Sequence, residues 1–313
     1  MKLRLNLDRS KQIELAVLAV AAVGLLIVAW YLVGLVPTWF YYGYIVASVA
    51  IGLTLYFTLK DLDQLLRRRL VALLLGTSLF GAAAFRDSTH ALFQIEGLFF
   101  DLMTGVLMAA VIHYLIAKIL GPLLFGRVWC GWACWTVMVL DQLPYKRSRG
   151  RLPGRWGLLR YVHFGLSLAL VATLWYGFAY RPGAGGPTAL AWFLIGNAAY
   201  YAVGVALAIA LKDNRAFCKY VCPISVPLKL GAGLALLKVK GDASKCCRNR
   251  VCEKVCPMDI RIAEYIARGR RVVSTECTLC QACINVCPEH ALALSFGLDR
   301  PAEELLRVRA SDG

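Results

Sequence analysis

The cysteines near the C-terminus have a spacing that suits metal chemistry. They read Cys277-Thr-Leu-Cys280-Gln-Ala-Cys283-Ile-Asn-Val-Cys287-Pro288. In a C-x2-C-x2-C-x3-C-P run, three close thiolates bind one iron–sulfur cubane and the fourth binds a second cluster. A zinc ribbon is the competing interpretation, but it favours two separated C-x2-C pairs and has no use for a terminal Cys-Pro. The spacing therefore predicts an iron–sulfur site.

An irregular copy of this motif precedes it. The copy reads Cys246-Cys247-Arg-Asn-Arg-Val-Cys252-Glu-Lys-Val-Cys256-Pro257. Together the two motifs supply the eight cysteines that two [4Fe–4S] clusters need. Crossed ligation assigns Cys256, Cys277, Cys280 and Cys283 to one cluster, and Cys246, Cys247, Cys252 and Cys287 to the other. Because adjacent cysteines reach one cluster only with an awkward backbone, a second cluster with three cysteine ligands remains open.

Two further cysteine pairs adjoin apolar stretches. They are Cys130-Gly-Trp-Ala-Cys134 and Cys218-Lys-Tyr-Val-Cys222. Residues i and i+4 lie on one face of a helix, so we expect each pair to present its thiols together. The four thiols could form a third redox or metal site; a dithiol relay and simple packing of small buried residues are the alternatives. Arg127 and Lys219 nearby would favour the thiolate form.

The rest of the chain places these cysteines at a membrane. Of its 313 residues 59% are hydrophobic and the mean hydropathy is +0.61, whereas soluble domains are about 45–50% apolar. A spanning helix needs about 20 apolar residues. Six stretches are candidates: 12–36, 38–59, 70–85, 97–120, 157–180 and 188–211. The first is too long for a signal-peptide core, so we expect it to remain as an anchor.

Lysine and arginine are distributed unevenly between the connections. They concentrate in 1–11, 60–69 and 145–156, while the alternate connections are nearly bare. By the positive-inside rule, both termini and all the cysteines face the cytoplasm. Reduced thiols and metal ligation are then favoured over structural disulfides. These loops also explain the net charge of +16, so no nucleic-acid partner is expected.

The motifs resemble those of a known family. GRVWCGWAC (126–134), AFCKYVCPI (216–224) and the paired tail motifs look like the polytopic membrane ferredoxins of the NapH/NosR/MauN type. The resemblance covers roughly residues 97–292 and implies a four-helix core followed by a cytoplasmic two-cluster ferredoxin domain. The first two helices here would be additional to that core. The sequence departs from the family pattern in the irregular first tail motif and in Trp135, which replaces a proline.

The expected fold class is therefore mainly α. We predict a polytopic transmembrane helical bundle of about six helices with both termini cytoplasmic, followed by a small α+β two-cluster ferredoxin domain. The predicted segments are a cytoplasmic N-terminus 1–11, a transmembrane domain 12–240, a ferredoxin domain 241–292 and a C-terminal tail 293–313. Within the ferredoxin domain, 258–268 predicts a short helix ending at Gly269, and 271–274 predicts a short strand.

The resemblance also implies a function. Its members feed electrons between the quinone pool or cytoplasmic donors and partner reductases, or support the maturation of such enzymes. We therefore expect a multi-pass protein of a bacterial or archaeal cytoplasmic membrane that passes single electrons between a cytoplasmic donor, quinone and a partner redox subunit. It would be a subunit of an oxidoreductase system rather than a stand-alone enzyme. The alternative is a maturation or redox-regulatory protein.

Other polar residues suggest weaker hypotheses. His113 and His163 lie within predicted spans, but we do not expect haem; Glu96 and Asp101 could serve proton exchange at a quinone site. The favoured alternative for all four is a hydrogen-bonded polar group inside the bundle. We expect Trp129, Trp132 and Trp135 to anchor at a membrane interface and Asp141 to pair with the basic loop 146–155. Arg268, Arg270 and Arg271 could neutralise cluster charge or dock an acidic electron donor; a solvated basic face is the alternative.

Overall fold

The computed structural model is mostly helical over the residues it describes. These residues are 38–58, 64–87, 95–105, 111, 114–145, 148–181, 187–299 and 303–309. The predicted N-terminus 1–11 and first span 12–36 lie outside the described residues. The helices up to residue 232 are α1 Thr38–Thr58, α2 Gln64–Asp87, α3 Ile95–Thr104, α4 Leu115–Phe125, α5 Val128–Trp132, α6 Trp135–Leu140, α7 Leu159–Ala172, α8 Pro187–Leu211, α9 Ala216–Tyr220 and α10 Ser225–Ala232.

Two of the described helices are long and apolar enough to cross a membrane. They are Trp156–Gly177, which contains α7, and Leu190–Leu211 within α8, each 22 residues long. At 1.5 Å per residue each is about 33 Å long, which matches the hydrocarbon thickness of a bilayer. Both coincide with predicted spans. Side chains on these helices face outward with large apolar exposure, for example Tyr176 at 77% and Ile195 at 67%.

A bent helix pair forms a third candidate span. Leu115–Phe125 and Val128–Leu140 pass the same length and hydropathy test together but meet at an angle of 95°. Gly126 lies at the bend with φ 57° and ψ −140°, a backbone conformation that only glycine adopts without strain. The bend places α5 and its cysteine at the end of α4 rather than along a straight helix.

The remaining predicted spans agree less closely with the helices in the structure. The stretch 38–59 coincides with α1, of which Val46–Thr58 is apolar but short, and 70–85 lies within α2. The stretch 97–120 is not one helix, so that prediction is wrong. α3 ends at Thr104, because Gly105 takes a left-handed conformation with φ 69° that terminates a helix.

The polar part folds around a small sheet. Strand β1 Leu237–Gly241 pairs antiparallel with β2 Leu292–Phe296, and the sheet therefore straddles the predicted boundaries at 241 and 292. Between the strands lie the short helices α11 Val251–Lys254, α12 Ile262–Ala267 and α13 Ala282–Val286. The core beneath them contains several tail cysteines together with apolar residues such as Met258 and Tyr265.

Two local predictions within the polar part need correction. The helix expected from residue 258 begins only at Ile262, since Asp259 has a left-handed φ of 59°. Gly269, with φ 64°, follows the helix as predicted. The strand expected at 271–274 does not form; Val272 makes one bond, from its N–H to the carbonyl of Val239 at 2.8 Å.

Candidate iron–sulfur sites

Four cysteines from the two tail motifs line one cavity of about 20 Å³. We call them the proximal set: Cys256, Cys277, Cys280 and Cys283. Apolar side chains, including Val239 and Ile260, complete the lining. The set coincides with the one that crossed ligation assigns to one cluster, because Cys256 reaches across from the first motif. The ligation itself stays a prediction.

The chemistry of the proximal set fits an iron–sulfur cluster. Burial raises the pKa of Cys256 and of Cys277 to about 12 and raises that of Cys283 as well. These thiols are therefore protonated at neutral pH, and iron binding must displace their protons. Among the described residues, no three His, Cys, Asp or Glu side chains are close enough to share a single metal ion. In a cluster each thiolate binds a different iron, so such closeness is not required.

Three of the other tail cysteines form a second group, the distal set. Cys252 is buried, and the half-buried Cys246 and Cys287 pack against the same core. Burial raises the pKa of Cys252 to about 11, and the neighbouring carboxylate of Glu253 adds to this rise. The backbone N–H of Ala291 lies 3.3 Å from the sulfur of Cys287, to which it donates. Cys247 is exposed, which favours three cysteine ligands over four.

The four membrane-edge cysteines line a larger cavity of about 50 Å³. They are Cys130, Cys134, Cys218 and Cys222. The expectation that each pair shares one helix face is wrong. α5 ends at Trp132 and Cys134 has an extended backbone; α9 ends at Tyr220, before Cys222. Pro223 gives a physical reason for the second break, since the residue before a proline disfavours helical backbone. The cavity nevertheless brings the two pairs together.

A buried lysine faces this cavity. Lys118 is 4% exposed, and its ammonium lies 3.8 Å from the ring centre of Trp129. Both residues line the cavity with the cysteines, so the ammonium can balance negative charge on thiolates there. Sequence reasoning missed Lys118, although a lone lysine in the apolar run LIAKIL was a usable signal. The cations expected in that role, Arg127 and Lys219, bind carboxylates instead.

The membrane-edge segment touches the proximal set directly. A side-chain Cβ at Gly131 would lie 2.3 Å from the carbonyl oxygen of Thr278, so only glycine allows this backbone approach. Next to it, the indole N–H of Trp132 donates to the carbonyl of Leu279 at 3.0 Å. Thr278 and Leu279 lie between two ligand candidates, Cys277 and Cys280. The expectation that Trp132 anchors at a membrane interface is therefore wrong.

A buried carboxylate reinforces this contact. Glu276 is 1% exposed and is surrounded by four cations. Their distances are 2.7 Å for Lys229, 2.8 Å for Arg127, 2.9 Å for Arg160 and 3.1 Å for Arg151. Burial alone would raise the pKa of Glu276, but the cations hold it well below its usual range. Glu276 is therefore ionised and fixes the start of the second tail motif against the bundle.

A second ion-pair group connects the other membrane-edge pair to the first tail motif. Lys219, which is 0% exposed, donates to Asp213 at 2.6 Å and also binds Asp259. Ser148 donates to Asp259 at 2.9 Å. Asp259 follows Cys256 by three residues, so this group ties the proximal set to α9. We call the contacts of Gly131, Trp132, Glu276 and Lys219 the joint.

Other predicted pairings differ in the structure. Asp141 binds Arg68 at 2.7 Å and Arg215 at 2.9 Å, and it forms no ion pair with the described residues of the basic loop 146–155. Arg215 also donates to the carbonyl of Cys130 at 2.8 Å, which supports the membrane-edge cavity. Trp135 donates to Asn197 at 2.8 Å.

The structure gives the surroundings of three of the four residues considered for haem and proton exchange. His113 lies outside the described residues, and Nδ1 of His163 lies 2.9 Å from the carbonyl oxygen of Val221. Glu96 accepts a hydrogen bond from Ser167 at 2.7 Å. Within the described ranges, Oδ2 of Asp101 is buried and has no hydrogen-bond partner.

Of the three arginines predicted to neutralise cluster charge or dock a donor, two are exposed and one is buried. Arg268 and Arg270 are exposed. Arg271 is buried, and it binds Asp299 and the carbonyls of Leu236 and Ser295. Arg271 therefore holds the polar part together and does not offer its charge to a partner.

The sequence matches several known proteins. Segments 98–152 and 187–226 match the model of the 4Fe-4S binding domain family, and both contain a membrane-edge cysteine pair. An uncharacterized protein of Methanocaldococcus jannaschii is 29% identical over 60% of this chain and 72% of its own length. The ferredoxin-type protein NapH of Haemophilus influenzae is 27% identical over 63% and 70%. YccM of Escherichia coli, provisionally named an electron transport protein, is 28% identical over 65% and 61%.

No solved structure matches the chain. By these matches the chain is similar to proteins with a 4Fe-4S binding domain, and its described part contains two helices long and apolar enough to cross a membrane. The predicted resemblance to the NapH type is confirmed.

Proposed function

We propose that the chain is a membrane-bound iron–sulfur protein that carries single electrons between its polar part and a redox site at the membrane edge. The names of the NapH and YccM relatives support an electron-transport role. The observation that carries the proposal is the direct contact between Gly131 and Thr278, and between Trp132 and Leu279. It puts the membrane-edge cysteines and the proximal set on either side of one packed backbone contact.

Each cysteine group has a defined task in this proposal. The proximal set would hold one [4Fe–4S] cluster, and the distal set, with or without Cys247, a second. The membrane-edge cysteines would form a third site. Clusters at these positions would supply reversible one-electron exchange. In this proposal the chain binds them by thiolates, excludes water through its apolar lining and balances negative charge at the membrane-edge cavity with Lys118.

The joint positions the two parts for this task. Glu276 adjoins the second tail motif, and Asp259, which binds Lys219, adjoins the first, so the two buried ion-pair groups fix both motifs against the bundle. Lysine and arginine are concentrated in alternate connections, and by the positive-inside rule this supports a cytoplasmic polar part and cytoplasmic termini. We further propose that quinone and a partner redox subunit exchange electrons with the protein, with Glu96 and Asp101 as candidates for the accompanying protons.

The test uses the full chain purified without air in lipid nanodiscs. Iron and sulfide analysis should find about eight irons for two tail clusters, and more if the third site holds iron. When the reduced protein is mixed with a short-chain quinone, the quinone should reoxidise its clusters. A reporter fused after Asp312 should be active only in the cytoplasm, and one inserted at Gly185 only outside.

The outcomes separate this proposal from the maturation or regulatory alternative. Clusters that load fully but exchange no electrons with quinone would favour the alternative. A value near four irons would show that the irregular motif holds no cluster. The reverse reporter pattern would overturn the orientation.

A further inference from the structure

The segment that carries Cys246, Cys247 and Cys252 has four exposed basic side chains. We call these four residues the basic rim: Lys245, Arg248, Arg250 and Lys254. They flank the exposed Cys247 and the half-buried Cys246. The rim residues therefore neighbour, along the chain, the cysteines that are accessible to solvent in the first tail motif.

The charge of the rim is almost uncompensated. In the part of the chain that the structure describes, no carboxylate lies within ion-pair distance of Arg248, Arg250 or Lys254, and Lys245 makes one loose pair with Asp242 at 3.9 Å. The nearby Glu253 is 6% exposed and accepts a hydrogen bond from the backbone of Ala263, so its charge is turned inward. The outer surface of the loop is consequently positive.

The rim loop begins at the end of the sheet that is farther from α4. At one end of the sheet, Leu237 pairs with Phe296, and the N–H of the neighbouring Leu236 donates to Leu123 of α4. At the other end, Gly241 pairs with Leu292 and the chain enters the rim loop. A five-residue strand spans roughly 13 Å at about 3.3 Å per residue. The start of the rim loop is thus separated from this contact with α4 by the length of the sheet.

We propose that the basic rim is the docking surface for a small acidic protein that carries one electron. This inference rests on the proposed electron-transfer function. Complementary charge steers such partners quickly into weak, short-lived complexes with small interfaces. Docking there lets one electron leave the carrier and enter the chain near the distal set, with no bond or proton change.

A lipid surface fits the rim less well than a protein. Membrane-binding segments combine basic residues with exposed large apolar anchors. Residues 242–254 contain no large apolar side chain that is exposed; such residues lie elsewhere, at Leu294, Phe296 and Leu298 on and after β2. The rim is therefore a purely electrostatic surface, as an acidic protein partner requires.

The experiment compares charge-reversal variants of the full chain in neutral phosphatidylcholine nanodiscs. The rim variant is Arg248→Glu with Arg250→Glu. The matched control is Arg268→Glu with Arg270→Glu, which makes the same charge change on exposed arginines outside the rim. The probe is a purified acidic two-cluster ferredoxin, reduced before stopped-flow mixing with the oxidised protein. Lys254→Glu serves as a second rim variant if the double variant loses iron.

The expected result is a second-order rate constant that falls about tenfold at low salt in the rim variant and stays unchanged in the control. The difference should close at high salt because screening removes steering. Equal rates in the rim variant and the wild type, or an equal fall in the control, would overturn the proposal. So would an effect that is seen only with anionic lipid, which would assign the rim to headgroups.

Failure of the proposed function gives a different result. In that case the wild type would hold no iron, or would not be reduced at an electrode through a neutral mediator. If only the rim proposal fails, the wild type and the rim variant load iron, are reduced at the electrode and react with the ferredoxin at the same rate.

Discussion

Basic side chains occupy the joint and the basic rim in opposite ways. At the joint, Arg127 and Lys219 are 1% and 0% exposed, and each binds a buried carboxylate. At the rim, Arg248 and Arg250 are exposed and within the described residues have no carboxylate partner. Buried charges need fixed partners, while exposed charges can exchange theirs. The same residue type therefore fixes one end of the polar part and leaves the other end open to a partner.

Thiol reactivity should show the largest contrast between the two ends. In the metal-free protein, Cys247 at the rim is exposed, whereas in the proximal set Cys256 is buried and Cys277 half-buried, each with a pKa of about 12. At pH 8 a thiol with that pKa is only about one part in 10⁴ thiolate, and raising the pH increases this fraction. Alkylation followed by mass spectrometry should label Cys247 first. Equal labelling of all three in the folded protein, with denatured protein as control, would contradict the burial.

Removing the carboxylate of Glu276 should have the next largest effect. Glu276→Gln leaves four cations without their counter-charge in a buried site, which we expect to cost about 3–5 kcal/mol. Chemical denaturation in detergent measures this loss. The control is Glu264→Gln, whose carboxylate pairs with Arg261 at a partly exposed site and should cost less than about 1 kcal/mol. Similar losses in both variants would show that the joint is not special.

Adding one methyl group at Gly131 should have a smaller effect on stability. Gly131→Ala places a Cβ against the carbonyl of Thr278, so the two backbones must move apart, at about 1–3 kcal/mol. The control is Gly165→Ala in α7, where nothing lies within 4 Å of the added atom. Quinone-linked reoxidation should slow in the first variant and not in the second, while the tail cluster spectra stay intact. A normal reoxidation rate in Gly131→Ala would argue that the contact does not matter for electron transfer.

Local patterns predicted the parts of the molecule that depend on neighbouring residues. The offsets of Cys277, Cys280 and Cys283 were sufficient to group them, and apolar length located the helices at 157–180 and 188–211. The grouping of these three cysteines with Cys256 also followed, because in the two-cluster ferredoxin pattern the last cysteine of one motif binds the cluster of the other. These features depend on short separations along the chain.

The joint could not be predicted in the same way. Glu276 meets Arg127 across 149 residues, and no pattern in either segment specifies that meeting. Gly126 and Gly131 were visible as glycines, but the bend and the close backbone approach arise only once α4, α5 and the tail are packed. The strand expected at 271–274 failed for a related reason, since Arg271 is held by contacts with Asp299 and with β2.

The most direct test of the central claim removes one membrane-edge thiol at a time. Cys134 and Cys218 come from different segments but line the same cavity, so the two variants are Cys134→Ala and Cys218→Ala. In the reduced full-length protein, the account predicts that both variants keep the tail cluster spectra and that reoxidation by a short-chain quinone falls to the quinone-free rate in each. Reoxidation at the wild-type rate in both variants would contradict the claim that electrons pass between the polar part and the membrane-edge cysteines.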